Sequence, residues 1–384
     1  MFFYWKPEYA ESAFQHKCAL NERSDMAVIT RSKVPVLMLL MGLVFGSCST
    51  SPKGLVGGLS SELTPLDPPV TVKVAEDGAV SGAAFFLAHA RGYFEALGIQ
   101  IEWVKFPGSV EMLPALAADH VQVAGGITSL SLFNAFTRGI AIKIIGDKGH
   151  NRPGASYFDL VIRSDLVNEI QDIADLKNRT ILMFSVLSAD EMMADQFVRA
   201  GGLIPHQDVK FLGGFGAAEM LLALSNKSAD AAMLIEPTIS QGVKEGILLR
   251  WKDLCEVIGP TENAVVLASP EFIQNIDLAG RFMVAYIKGA RDYNEIFREG
   301  DRGEIAKILS QYTELKDLDT WNMVHLPGLN PDGYALSREL AEDLVWYRET
   351  GYFEGEIDLD EIIDHSAVEF ALQYLGRYES LQKN

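Results

Sequence analysis

The sequence predicts an α/β chain of two lobes followed by a helical tail. Three observations carry this: short β-branched runs alternate with helix-length runs from residue 70, the alternation restarts after Leu160, and helical patterning dominates beyond residue 270. At 384 residues, 48% hydrophobic and 22% charged, the chain is too long for one ordinary core and too apolar for disorder. Its 33 Lys plus Arg stand against 52 Asp plus Glu, a net charge of −19 without any basic block. That balance excludes a protein held to duplex nucleic acid by neutralising phosphates, or to an anionic membrane by a basic patch.

Residues 1–47 stand apart from the fold. Arg31 and Lys33 precede the uncharged apolar run Val34 to Phe45, then Gly46, Ser47 and Cys48. This is the layout of an export signal, with Met1 or Met26 as its start, and the run is too short to span a bilayer of roughly 30 Å as a helix. Phe45-Gly46-Ser47-Cys48 resembles a bacterial lipoprotein cleavage box, which implies a lipid on Cys48 and an anchored position on the periplasmic or cell-surface side. Phe45 replaces the Leu usual there, so an ordinary export signal is the alternative. Residues 48–69, rich in Ser, Gly and Pro, read as a flexible tether. Of the three Cys, Cys255 has no His or Cys nearby in sequence and reads as a small buried hydrophobe.

From Val70 the elements follow in order. Residues 70–75 form a strand, 81–97 a helix closed by Gly98, and 99–104 a strand. A helix over 111–118, a strand over 121–124, a helix over 129–138 ended by Gly139, and a strand over 140–145 come next. The order implies a parallel sheet. The second series runs strand 160–163, turn 173–176, strand 180–184, helix 188–200, strand 208–212, helix 217–225, strand 230–235, helix 237–245 and strand 264–268. The expected division is 70–163 with 264–384 as lobe 1 and 164–263 as lobe 2. The chain should cross between them near Leu160 to Arg163 and near Val265 to Ala268.

Two α/β lobes, the second inserted before a helical tail, form the arrangement of a hinged ligand trap. Five blocks support this in order. AAFFLAHARGYFEALGIQIEWV (83–104), PGSVEMLPALAADHVQVAG (107–125), IADLKNRTI (173–181), AAEMLLALSNKSADAAMLIEP (217–237) and the tail from Trp346 through Gly376 together resemble the nitrate/taurine/sulfonate and thiamine-pyrimidine precursor group of ABC-transporter substrate-binding proteins. One departure is Asp119-His120-Val121-Gln122, where that group has a Gly and an Asp. The resemblance implies the two-lobe, type II periplasmic-binding fold. It also implies a small-molecule ligand, an ABC permease as partner, a monomer, no cofactor and no catalysis.

In open α/β sheets, ligands sit outside the carboxyl ends of strands, where helix N-termini offer free N–H groups. The candidates in lobe 1 are Glu76, Asp77, Gly78 and Ser81, then Lys105, then Thr128 and Ser129, then Asp147, Lys148 and His150. Those in lobe 2 are Ser185 and Ser188, then Gly213, Gly214 and Phe215, then Glu236 and Thr238. Each has a plainer reading. Ser188 with Glu191 fits a capping box, and Ser129 also fits a helix cap. Asp77 and Asp147 fit solvated loop charges, Phe215 a core plug, Trp103 a core residue within a strand. His150 has no second ligand at metal spacing, so no metal site is expected.

Enzyme readings fare worse. GGFGAAE (213–219) fails the dinucleotide-binding pattern because Glu219 falls at its last position, and no nucleophile elbow, P-loop or H-E-x-x-H is present. The pyrimidine-precursor synthases of the same fold carry a Cys- and His-bearing segment without counterpart here. Glu76, Asp77, Asp147 and Glu236 in the candidate loops favour an amine or aminopyrimidine-like heterocycle. Helix N-termini with Lys105 or Lys148 suit a sulfonate or nitrate instead. A ligand-sensing partner of a membrane receptor is a further alternative to an importer subunit.

Overall fold

The computed structural model describes residues 63–106, 108–154, 156–299 and 302–379. The expected export signal, Cys48 and the expected tether up to residue 62 lie outside the described residues.

The first sheet contains β1 (Val70–Glu76), β2 (Ile99–Lys105), β3 (Val123–Ile127), β4 (Lys143–His150) and β10 (Glu262–Ala268), in the order β2-β1-β3-β10-β4. The second contains β5 (Phe158–Arg163), β6 (Thr180–Leu182), β7 (Lys210–Leu212), β8 (Ala231–Ile235) and β9 (Leu248–Arg250), in the order β7-β6-β8-β5-β9. Each sheet with its helices makes one lobe of the α/β fold that the sequence predicts.

The sheets are mixed, which corrects the expectation of parallel ones. β1 runs parallel to β2 and β3, with Val74 opposite both Trp103 and Val123. β10 runs antiparallel to both its neighbours, placing Val265 opposite Gly126 and Asp147. β5 is likewise antiparallel to β8 and β9. A parallel neighbour needs a crossover of a dozen or more residues to bring the chain back to its starting end. β5 and β10 are instead reached by direct passage from the other sheet, so they enter from the opposite end. Because β5 pairs wholly within the second sheet, the chain passes between sheets before Phe158 rather than at Leu160 to Arg163, and it returns before Glu262.

Local sequence explains where elements stop. The helical reading over 81–97 breaks into a helix Ala83–Ala90 and a short turn Glu95–Leu97, because Gly92 and Gly98 take φ of +70° and +75°. The helix Ala217–Ser225 matches its expected span. Residues 63–69 are docked rather than tethered: Leu66 N–H donates to Leu97 O at 3.1 Å, and Arg281 Nη1 donates to Thr64 O at 2.6 Å.

The tail is organised by the helix Ile276–Glu299, which packs on Ala83–Ala90 and on Ser366–Leu375. Small residues set the approach: a Cβ on Gly289 would lie 2.3 Å from Ala84 O, and one on Gly280 would lie 2.3 Å from the Phe370 ring. Val74, Phe85, Phe282 and Tyr286 are among the fully or almost fully buried residues of the first core. Cys255 is buried, as expected, and burial pushes its thiol up to about 12. Among the described residues, no helix is long and apolar enough to cross a membrane.

Candidate functional site

The end of β1 and the body of β4 bring three of the expected residues together. Lys148 Nζ lies 3.2 Å from Glu76 Oε1, donates to Ser81 Oγ at 3.3 Å and to Gly125 O at 3.4 Å. Lys148, Glu76 and Ser81 are all buried. The backbone is shaped around this pair, since a Cβ on Gly125 would lie 2.3 Å from both Glu76 Oε1 and Lys148 Cε. Burial pushes the Glu76 carboxyl up to about 7 against the downward pull of Lys148. Glu76 Oε2 has no hydrogen-bond partner among the described residues. Asp77 turns back to accept Ala79 N–H at 3.0 Å, a loop-closing role.

Asp147 enters a second cluster. Its Oδ2 meets His150 Nδ1 at 3.1 Å and accepts Asn330 N–H at 2.6 Å. His150 is shifted up by Asp147, against burial that pulls it down as the largest effect. Glu262 joins the cluster: burial first, then the Asp147 charge and hydrogen bond, hold its carboxyl well above the usual range, and its Oε2 accepts Leu336 N–H at 2.9 Å. Asp147 is therefore a buried group, not a solvated loop charge.

The two helix N-termini meet. Ser129, after β3, and Ser188, after β6, form an antiparallel bridge in which Leu130 N–H donates to Leu187 O at 3.0 Å and Ala189 N–H to Thr128 O at 3.2 Å. Ser129 Oγ caps its helix by accepting Leu132 N–H at 3.2 Å. Ser188 does not cap. Its Oγ donates to Ser185 O at 3.2 Å and to Asp190 Oδ1, and Glu191 accepts Leu187 N–H and meets His206 Nε2 at 2.9 Å. The expected capping box is thus absent, because Asp190 competes for the hydroxyl. Ser185 N–H donates to Asp190 Oδ2 at 3.1 Å. Burial pushes Asp190 up to about 6, against its hydrogen bonds. Thr128 is buried and donates to Glu262 O at 3.4 Å.

Glu236 is a tie between segments. It accepts Ser240 N–H at 3.0 Å, Ser240 Oγ–H at 3.1 Å, Arg250 Nη2 and, from the tail, His325 N–H at 2.8 Å. Thr238 begins the helix Thr238–Lys244 beside it. Farther along the tail, Trp346 Nε1 donates to Asp195 Oδ1 at 3.1 Å and Tyr347 OH to Leu187 O at 3.3 Å. Contacts of the tail with Glu236 and Leu187 in one lobe, and with Asp147 in the other, make it a strap across both.

Four candidates fall outside these clusters. Lys105 has a side chain 70% exposed and pairs with Glu314 at 2.7 Å. Phe215 packs on the smaller hydrophobic cluster of the second lobe, and Gly213 touches Val186, where a Cβ would lie 2.7 Å from its N. Gly214 takes φ +96°. Trp103 packs between Phe86, at 5.5 Å, and Tyr312, at 5.9 Å between ring centres. The sequence reading missed Glu262, Asn330, Arg250 and Asp190. A signal existed for Glu262: Thr261-Glu262-Asn263 is a polar run leading directly into an apolar strand, and all three residues are buried.

Comparison with solved structures gives the same architecture. The ligand-binding component of an ABC-type import system from Staphylococcus aureus, solved with zinc bound, aligns with a TM-score of 0.64 at 16% identity, covering 78% of this chain and 98% of its own. The periplasmic aliphatic sulphonate binding protein SsuA of Escherichia coli gives 0.62 at 15%, covering 80% and 99%. The periplasmic nitrate-binding protein NrtA of Synechocystis PCC 6803 gives 0.64 at 14%, covering 82% and 90%. These likenesses establish the two-lobe fold of periplasmic binding proteins. No curated protein sequence matches the chain. The family model described as NMT1/THI5 like matches residues 80–295, more than half of the 384 residues, and the chain therefore belongs to the NMT1/THI5-like family.

Proposed function

We propose that the protein is an extracytoplasmic solute-binding protein that closes its two lobes over a small molecule and delivers it to an ABC importer. The observation that carries this reading is the meeting of Ser129 and Ser188, one helix N-terminus from each lobe, through reciprocal backbone hydrogen bonds. A contact made only when the lobes are together distinguishes a shut state from an open one. A ligand that favours the shut state shifts that population, and the permease reads the shape. Binding requires no bond to be made or broken. The lobe division of the sequence reading, with β5 moved to lobe 2, supplies the two moving bodies, and a monomer suffices for the cycle. Lipid attachment at Cys48 would keep the trap near its permease at raised effective concentration.

For the solute we favour an amine or a nitrogen-rich heterocycle such as an aminopyrimidine. The buried Lys148 already has Glu76 as its counter-charge, and the lobe 2 helix carries Asp190 and Glu191 in its first turn, both buried. An oxyanion at that N-terminus would face two carboxylates, whereas an N–H donor would find Glu76 Oε2 without a partner. Asp77, Ser81, Thr128, Ser129, His150, Ser185, Phe215, Glu236 and Thr238 remain our candidate contacts in the open form, with Lys105 the weakest because of its exposure. The second reading, a sulfonate or nitrate, is favoured by the names of SsuA and NrtA. A thermal-shift screen of aminopyrimidines and small amines against taurine, alkanesulfonates and nitrate decides between them. Stabilisation by the nitrogen compounds is the expected result; stabilisation by the oxyanions alone reverses the choice, and stabilisation by neither, with unchanged small-angle scattering, removes the binding reading.

A further inference from the structure

The helix Ser337–Glu349 and the segment after it enclose a groove of about 930 Å³ unrelated to the clusters above. Along residues 353–359 burial and exposure alternate, and this period of two sorts the side chains. Phe353, Ile357 and Leu359 turn towards the groove floor, which Leu344 and the half-exposed Val345 complete. Glu354, Glu356 and Asp358 alternate with them on the exposed side, and Glu361 continues the acidic rim. None of these four carboxylates has an ion pair among the described residues; Arg348 is the single cation in the lining, and Lys143 Nζ donates to the Glu361 backbone carbonyl at its edge.

An apolar floor under an uncompensated acidic rim has the pattern of a helix-binding groove, in which apolar anchors fill the floor and cations meet the rim. We propose that this groove docks a basic amphipathic helical segment of a partner protein, its Leu-like face on Val345, Ile357 and Leu359 and its Lys/Arg face on Glu354, Glu356 and Glu361. Charge complementarity selects this occupant over an anionic membrane or an acidic peptide, both of which the rim repels. The inference does not depend on the solute reading, and either can fail alone.

The test uses the folded chain and a synthetic 14-residue peptide with Leu at i, i+3 and i+4 spacing and Lys elsewhere, followed by fluorescence anisotropy at two salt concentrations. The triple change Glu354→Gln, Glu356→Gln and Glu361→Gln should weaken binding about tenfold, and Val345→Asn severalfold. The matched triple Glu95→Gln, Glu271→Gln and Glu245→Gln on other exposed carboxylates should change it less than about twofold. Equal losses in both triples would mean attraction to the net charge alone and would overturn the proposal. So would unchanged binding in the Val345→Asn variant, displacement of the peptide by millimolar magnesium or calcium, or a dimer that masks the groove in light scattering.

Discussion

The two helix N-termini that meet at Ser129 and Ser188 begin with the same residue type and handle it differently. In lobe 1, Ser129 accepts its own helix N–H, and the first turn carries no acidic residue. In lobe 2, the Ser188 hydroxyl is turned away to serve Asp190, and Asp190 with Glu191 fills the first turn. The positive end of one helix is therefore left for something else, while the other is already answered by its own carboxylates. Lobe 1 places a cation–carboxylate pair near its strand ends, and lobe 2 places carboxylates held by backbone N–H groups. The lesson is that a serine before a helix defines a position and leaves the chemistry to its neighbours two and three residues on.

The comparison is broken most strongly in lobe 1. Lys148→Met leaves Glu76 buried without its counter-charge and should cost about 3–5 kcal/mol at neutral pH, read from urea unfolding. Adding Glu76→Leu should recover much of that loss. If the single variant costs less than the double, the pair is not the structural unit described here. The penalty has a pH signature. The Glu76 carboxyl is raised from 4.5 to about 7, so the folded state keeps a proton that the unfolded chain has released. Its contribution is full below about pH 4.5 and is lost as pH rises towards 7, and the double variant should flatten that fall.

In lobe 2 the expected effect is smaller. Ser188→Ala removes a hydroxyl donor from the buried Asp190 and should cost about 1.5–3 kcal/mol at pH 7. Asp190 is itself raised from 3.8 to about 6, so the cost should shrink as pH falls through 6, once the carboxyl carries its own proton. Ser129→Ala removes an ordinary cap, and about 1 kcal/mol is expected, the same at pH 5 and pH 8. Matching pH profiles for the two serine variants would erase the distinction between the lobes.

Much of this was legible in the sequence, and the misses have physical causes. Gly98 and Gly139 ended their elements because each takes positive φ, and periodicity placed the helix Ala217–Ser225. Strand direction was not legible: β5 and β10 look locally like any buried strand, and only their entry from the other sheet sets their sense. Cys255 was legible as a core residue, whereas Trp103, expected in the core, is partly buried and packs against it. Asp147 was not legible as a buried residue, because its neighbours Glu262 and Asn330 lie more than a hundred positions away. The capping box at Ser188 failed on a single residue, Asp190, which the S-x-x-E pattern leaves unspecified.

The strap has an implication for biogenesis. Its ties to Glu236, Asp147 and Leu187 come from His325, Asn330 and Tyr347, which follow both sheets in the chain. A nascent polypeptide holding only the two sheets lacks the stitches that fasten them, and it completes its shape late, when the final helices arrive.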